Sequence, residues 1–197
     1  MQISTTPIRD LLIIEPRIFA DDRGWFCESF NQQVFDSLLI EHEQQPLPWV
    51  QDNHSLSEKG VVRGLHYQLP PHAQGKLVRV VQGQAWDVAV DLRMDSPTFG
   101  QWFGVALSGS NHKQFWIPPG FAHGFIALED NTQFLYKTTA YYNKSSERAI
   151  LWNDEALNID WPIDSGMRIR QTDKDNQAPT LSEAKSAGDV FGCVSVK

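Results

Sequence analysis

Between residues 60 and 152 the chain is interrupted too often for a long helix or a parallel crossover to fit. Runs at 76–81, 85–92, 102–107, 114–117, 123–128 and 132–139 are short and rich in β-branched or aromatic residues. Gly83, Ser96-Pro97, Gly109, Pro118-Pro119-Gly120 and Asp130-Asn131 separate them. Such residues tolerate positive φ, fix φ, or hydrogen-bond their own backbone, and so mark turns. A parallel connection needs a dozen or more residues, so short strands joined by turns pair antiparallel. The pattern predicts a mainly β fold, an antiparallel sandwich or barrel.

The flanks read differently. Leu11-Leu12-Ile13-Ile14 stops at Glu15-Pro16, Asp21-Asp22-Arg23-Gly24 turns, and 25–30 resumes as strand. Apolar residues at 34, 35, 38, 39 and 40 have helical spacing, which predicts a helix over 31–42 with Asn31 as N-cap. A short strand is expected at 167–169, and weak helical character follows from Leu181. At 197 residues, 41% of them apolar, the chain can bury one substantial core. The expected division is a single domain over 1–180 and a loose tail over 181–197. A net charge of −7 disfavours nucleic acid or an anionic membrane as partner, so any anionic ligand needs a local cluster of cations. Cys27 and Cys193 have neither metal nor redox spacing and read as reduced thiols. With no leader-like N-terminus and no apolar run of membrane length, the expected location is cytoplasmic.

Chemistry concentrates at Gly60-Val61-Val62-Arg63-Gly64-Leu65-His66-Tyr67-Gln68-Leu69-Pro70. In an extended chain 63 and 65 share one face and 66 and 68 the other, unless Gly64 introduces a bulge. A lone histidine in such a run is as readily a core residue as a functional one. Two cations, Arg63 and Lys76, and a second histidine, His123, in a similar Gly-flanked run weigh toward function.

Gly60-x5-His66 and Pro118-x-Gly120-x2-His123 resemble the two half-motifs of the cupin family, which implies a double-stranded β-helix, or jelly roll. Metal-binding cupins carry His-x-His and a further Glu in the first half; here the second histidine is Gln68, and Ala127 stands where the second half usually has Asn. With one histidine from each half, no bound metal is expected.

The resemblance narrows further. Residues 19–31, 51–55, 62–68, 74–79, 116–125, 134–139, 152–155 and 174–179 follow, in order, the segments of the dTDP-4-dehydrorhamnose 3,5-epimerase family, so that the likeness covers about 8–180. That family is a metal-free, cofactor-independent cupin, a homodimer that acts on a sugar carried by thymidine diphosphate. The resemblance implies His66 as catalytic base, Tyr136 as acid, and an aspartate that orients His66. The Lys174-Asp175-x-x-Ala178-Pro179 match favours Asp175, whereas counting without a gap from Trp161-Pro162 lands on Asp173. Asp175 is taken, with Asp173 as the alternative.

By the same likeness Arg23, Glu28, Gln51, Asp52 and Asn53 belong to the nucleotide-binding part of the site, and Arg63, Lys76, His123, Tyr142, Glu147 and Lys174 to further substrate contacts. Arg23 and Glu28 lie in an N-terminal region that the family exchanges between subunits. The chemistry fits these residue types. Protons at C3 and C5 of a 4-keto sugar are acidic, imidazole abstracts near neutral pH, and fixed cations stabilise the enolate. Three readings stand at this point: a 3,5-epimerase of the dTDP-L-rhamnose pathway, an enzyme that epimerises one carbon or acts on another dTDP-4-keto-6-deoxy sugar, and a catalytically silent sugar-nucleotide-binding cupin.

Overall fold

The structure, a computed structural model, describes residues 1–192. Residues 193–197, Cys193 among them, fall outside the described residues. The chain opens with β1 (Gln2–Thr5) and β2 (Leu12–Glu15), then a hairpin of β3 (Ile18–Asp21) and β4 (Gly24–Cys27), then α1 (Gln32–Glu41). Asn31 caps α1 as expected, its side chain accepting from the Val34 N–H at 3.2 Å. Eight strands follow: β5 (Gln51–Ser57), β6 (Val62–Gln68), β7 (Lys76–Gln82), β8 (Gln84–Asp91), β9 (Trp102–Ser108), β10 (Gln114–Ile117), β11 (Phe121–Ala127) and β12 (Thr132–Thr138). A short β13 (Glu147–Ala149) and two small helices, α2 (Asp173–Asn176) and α3 (Leu181–Ala187), complete the described chain.

A six-stranded sheet in the order β1-β2-β10-β7-β12-β5 faces a five-stranded sheet in the order β13-β6-β11-β8-β9, with antiparallel pairing throughout. This is the jelly roll that the turn spacing and half-motifs predict. The period of two sorts side chains between layers. Ala85 and Ala89 of β8 face inward with Val78, Val80, Phe115 and Phe134, while Val88, Val90 and Leu92 face outward against Leu65, Tyr67, Ala184 and Val190. Each such burial contributes about 1.5–3 kcal/mol for a large aliphatic or aromatic side chain. α1 lays Phe35 and Leu39 on the outer face of the six-stranded sheet, over Leu12, Ile14, Leu77 and Trp116.

Two expectations change at the C-terminal end. Residues 181–191 are part of the packed body: Ala184 is buried, α3 has a capping box from Thr180 and Glu183, and the Phe191 amide donates to the Leu92 carbonyl at 3.0 Å. The strand expected at 167–169 contracts to a single parallel bridge, Val61 to Arg170. β13 already pairs with residues 66–68 of β6, so the incoming segment meets only the start of the strand, at Val61 and Val62.

Candidate active site

Gly64 has φ +112, a conformation that favours glycine. His66 pairs with His123 and Arg63 with Phe125, so β6 holds one more residue than β11 between these two registers. A Cβ on Gly64 would come within 2.6 Å of the His123 carbonyl oxygen, and one on Gly124 within 2.6 Å of the Arg63 carbonyl oxygen. The two glycines permit that approach, and the bulge resets the alternation. Val62, Leu65 and Tyr67 pack outward, while Arg63, His66 and Gln68 line a cavity of about 670 Å³ at one end of the roll.

Within it, His66 Nε2 lies 2.6 Å from Oδ1 of Asp175. Asp175 arrives on α2, a single turn whose N-cap is Thr172 and in which Asp175 is the buried residue. Burial works to raise the Asp175 carboxyl, but hydrogen bonds from His66, Thr172 and the Gly64 amide hold it below its ordinary value. The carboxylate is therefore the acceptor, and the imidazole donates through Nε2–H. Nδ1 keeps its lone pair, which leaves His66 competent as a base on that nitrogen. Asp173, the other candidate, is exposed and makes no hydrogen bond to a histidine.

Across the bulge His123 donates through Nε2–H to Asp87 Oδ2 at 2.9 Å, both residues being buried. Burial pushes the imidazole of His123 down and the carboxyl of Asp87 up, each offset in part by the other. Lys76 is buried beside them, and its Nζ donates to the His66 carbonyl at 3.1 Å. Desolvation pulls Lys76 down to about 8, against Asp87 and Glu147, which pull the other way. Among the described residues no group of three His, Cys, Asp or Glu side chains is placed to hold a metal ion.

Tyr136 lines the same cavity from β12, on the opposite sheet from His66. Burial raises its phenol, with Arg63 opposing and Glu147 adding to the effect. Arg63 is held by Ser57 Oγ at 3.1 Å and the Leu56 carbonyl at 3.3 Å. At the rim, Glu147 Oε2 accepts from Tyr142 Oη at 3.0 Å and pairs with Lys174 Nζ at 2.5 Å. Asn53 also faces the cavity, and its side chain accepts from Gln51 Nε2 at 2.9 Å.

Four residues expected in the site are not brought to this cavity within the chain. Asp52 points to the outer face of the sheet and pairs with Lys137 Nζ at 2.8 Å, because alternation along β5 turns it away from Asn53. Gln51 supports the rim indirectly, accepting from the Tyr142 amide at 3.1 Å. Arg23 sits at the tip of the β3–β4 hairpin, paired with Asp21 at 2.5 Å, and Glu28 accepts from Asn31 at 3.2 Å. Two lining or supporting residues escape the sequence reading. Asp87 had a signal, an acid on the inward phase of an otherwise apolar strand; Arg170 had none, since its place depends on the bridge to Val61.

A paired imidazole and carboxylate, a phenol on the facing sheet and a desolvated ammonium line one cavity, residue types able to move protons next to a carbonyl. The sequence profile of the dTDP-4-dehydrorhamnose 3,5-epimerase family matches residues 5–183. The chain is 55% identical over 191 residues to the dTDP-4-dehydrorhamnose 3,5-epimerase of Shigella flexneri, covering 97% of this chain and 96% of that one. It superposes on the crystal structure of the Legionella pneumophila enzyme RmlC in complex with dTDP-4-keto-L-rhamnose with a TM-score of 0.90, at 47% identity, covering 98% and 99% of the two chains. A 3'-monoepimerase from Streptomyces bikiniensis in complex with dTDP-quinovose gives a TM-score of 0.87 at 30% identity, covering 95% of this chain and 91% of that chain. Sequence and fold agree, and the chain belongs to the dTDP-4-dehydrorhamnose 3,5-epimerase family.

Proposed function

We propose that the protein converts dTDP-4-dehydro-6-deoxy-D-glucose to dTDP-4-dehydro-L-rhamnose by inverting C3 and C5. The observation that carries this reading is the placement of His66 and Tyr136 on opposite sheets of one cavity. Epimerisation removes a proton from one face of a carbon and returns one to the other face, so base and acid must flank the ring.

In this reading His66 Nδ1 takes the proton α to the C4 carbonyl, and the Asp175 carboxylate stabilises the imidazolium that forms. The electron pair of the broken C–H bond passes to the carbonyl oxygen, where the Lys76 ammonium meets the developing enolate. Tyr136 then donates its phenolic proton to the carbon from the other side, and solvent restores both groups. C3 and C5 flank the same carbonyl, so one base, one acid and one cation serve both. His123, held by Asp87, lines the sugar end; Tyr142, Glu147 and Lys174 guard the rim.

The nucleotide end needs more than one chain supplies. Arg23 and Glu28 lie on or beside a hairpin whose Phe19, Trp25 and Phe26 are 50%, 58% and 67% exposed, an apolar surface suited to a second copy. The functional form is proposed to be a homodimer in which each hairpin completes the other subunit's site. NMR of the product after incubation with dTDP-4-dehydro-6-deoxy-D-glucose tests the activity. The expected result is the L-lyxo-4-keto sugar; recovery of unchanged substrate would overturn the reading.

A further inference from the structure

A nucleoside diphosphate sugar brings about two negative charges into a protein of net charge −7, so its diphosphate requires cations that nothing else has neutralised. Four cations line the cavity: Arg63, Lys76, Arg170 and Lys174. Lys174 is committed to Glu147 at 2.5 Å. Lys76 is buried at the sugar end beside Asp87 and Glu147, where its charge is needed at the carbonyl. Arg63 donates only to the neutral Ser57 hydroxyl and Leu56 carbonyl, and keeps its charge uncompensated. Arg170 is exposed at the rim and, among the described residues, forms no ion pair.

The position of Arg170 is fixed by backbone rather than by its side chain. Its amide donates to the Gly60 carbonyl at 2.9 Å, and its carbonyl accepts from the Val62 amide at 2.8 Å. Gly60 has φ +83, and a Cβ there would strike the Arg168 carbonyl oxygen, so the close approach depends on glycine. The bridge sets Arg170 beside Val61, two residues ahead of Arg63 on the same line of chain, which is about 6.6 Å of strand. Both side chains line the cavity. Two guanidinium groups at that spacing can straddle a diphosphate, each presenting a planar fork to one phosphate.

We infer that Arg170 is a second diphosphate-binding residue, acting with Arg63 at the cavity mouth. This rests on the proposed sugar-nucleotide function. Arg170 belongs to binding and not to proton transfer, so its loss should raise KM and leave kcat in place.

The test is calorimetric titration of the intact protein with dTDP, with KM and kcat measured alongside. Arg170→Gln should weaken dTDP binding about tenfold, the size of a lost charge-assisted hydrogen-bond pair, with kcat within twofold of the parent. Arg170→Lys, which keeps the charge and loses the fork, should fall between the two. Arg168→Gln, two residues away and absent from the cavity lining, should match the parent. Thymidine without phosphates should bind all four proteins alike. Parent-like dTDP binding by Arg170→Gln would overturn the inference while leaving the function intact, as would an equal loss in Arg168→Gln. Failure of the parent to bind dTDP would remove the function and the inference together.

Discussion

The Nε2 atom of His66 lies 2.6 Å from Oδ1 of Asp175, a hydrogen bond between residues 109 apart in sequence. The carboxyl is held low, so it stays ionised near neutral pH and fixes the imidazole tautomer. Asp175→Asn should cut turnover about a hundredfold or more at an unchanged fold. Asp173→Asn, at an exposed site, should leave both unchanged. A lowered carboxyl also contributes stability above about pH 4 that is lost as pH falls through its folded value. The Asp175→Asn protein should therefore show a shallower loss of urea midpoint on acidification.

Lys76 predicts the alkaline side of the profile. Desolvation brings its ammonium down to about 8, so the free protein loses the charge that meets the enolate as pH rises through that value. kcat/KM should fall about tenfold per pH unit above it, as for loss of one proton. Tyr136 is raised and stays protonated longer, so it does not set this limb. Lys76→Gln should lose roughly 10²–10³ in kcat and show no limb near 8; a limb that persists would assign it to another group.

Gly64→Ala should fold poorly. A side chain there would need φ +112 and would meet the His123 carbonyl oxygen at 2.6 Å, with backbone on both sides. We expect a loss of about 2–4 kcal/mol in urea denaturation, with activity lost at temperatures where the protein remains folded, because the bulge sets the face of His66.

Mixing two inactive variants tests the shared site. In a homodimer with exchanged hairpins, Arg23→Ala and His66→Ala chains form a mixed dimer with one complete site, His66 coming from one chain and Arg23 from the other. Unfolding and refolding an equal mixture should restore up to about a quarter of parental activity, by random pairing with one intact site in each mixed dimer. No restoration would place Arg23 in its own chain's site or outside any site.

The β framework was legible because each strand between 76 and 139 is bounded by residues that force turns, and α1 because its apolar spacing and Asn31 cap agree. Gly64 announced a possible bulge, but the resulting face of Arg63 and His66 required the register with β11. Asp175 could not be separated from Asp173 by strand spacing, since residues two apart share a face of an extended chain; the one-turn helix sets them on opposite sides and buries only Asp175. Asp52 faces away from this chain's cavity, and a sequence run does not say which phase of a strand faces inward. Arg23 and Glu28 stand apart from the cavity of their own chain, a separation that no local pattern encodes.

Turnover of dTDP-4-dehydro-6-deoxy-D-glucose in deuterated water tests the central claim most directly. If His66 abstracts and Tyr136 returns a proton at each carbon beside the carbonyl, both protons come from solvent, and the inverted product carries two deuterons, at C3 and at C5. Product with a single deuteron, the outcome for a monoepimerase, or with none, would contradict it.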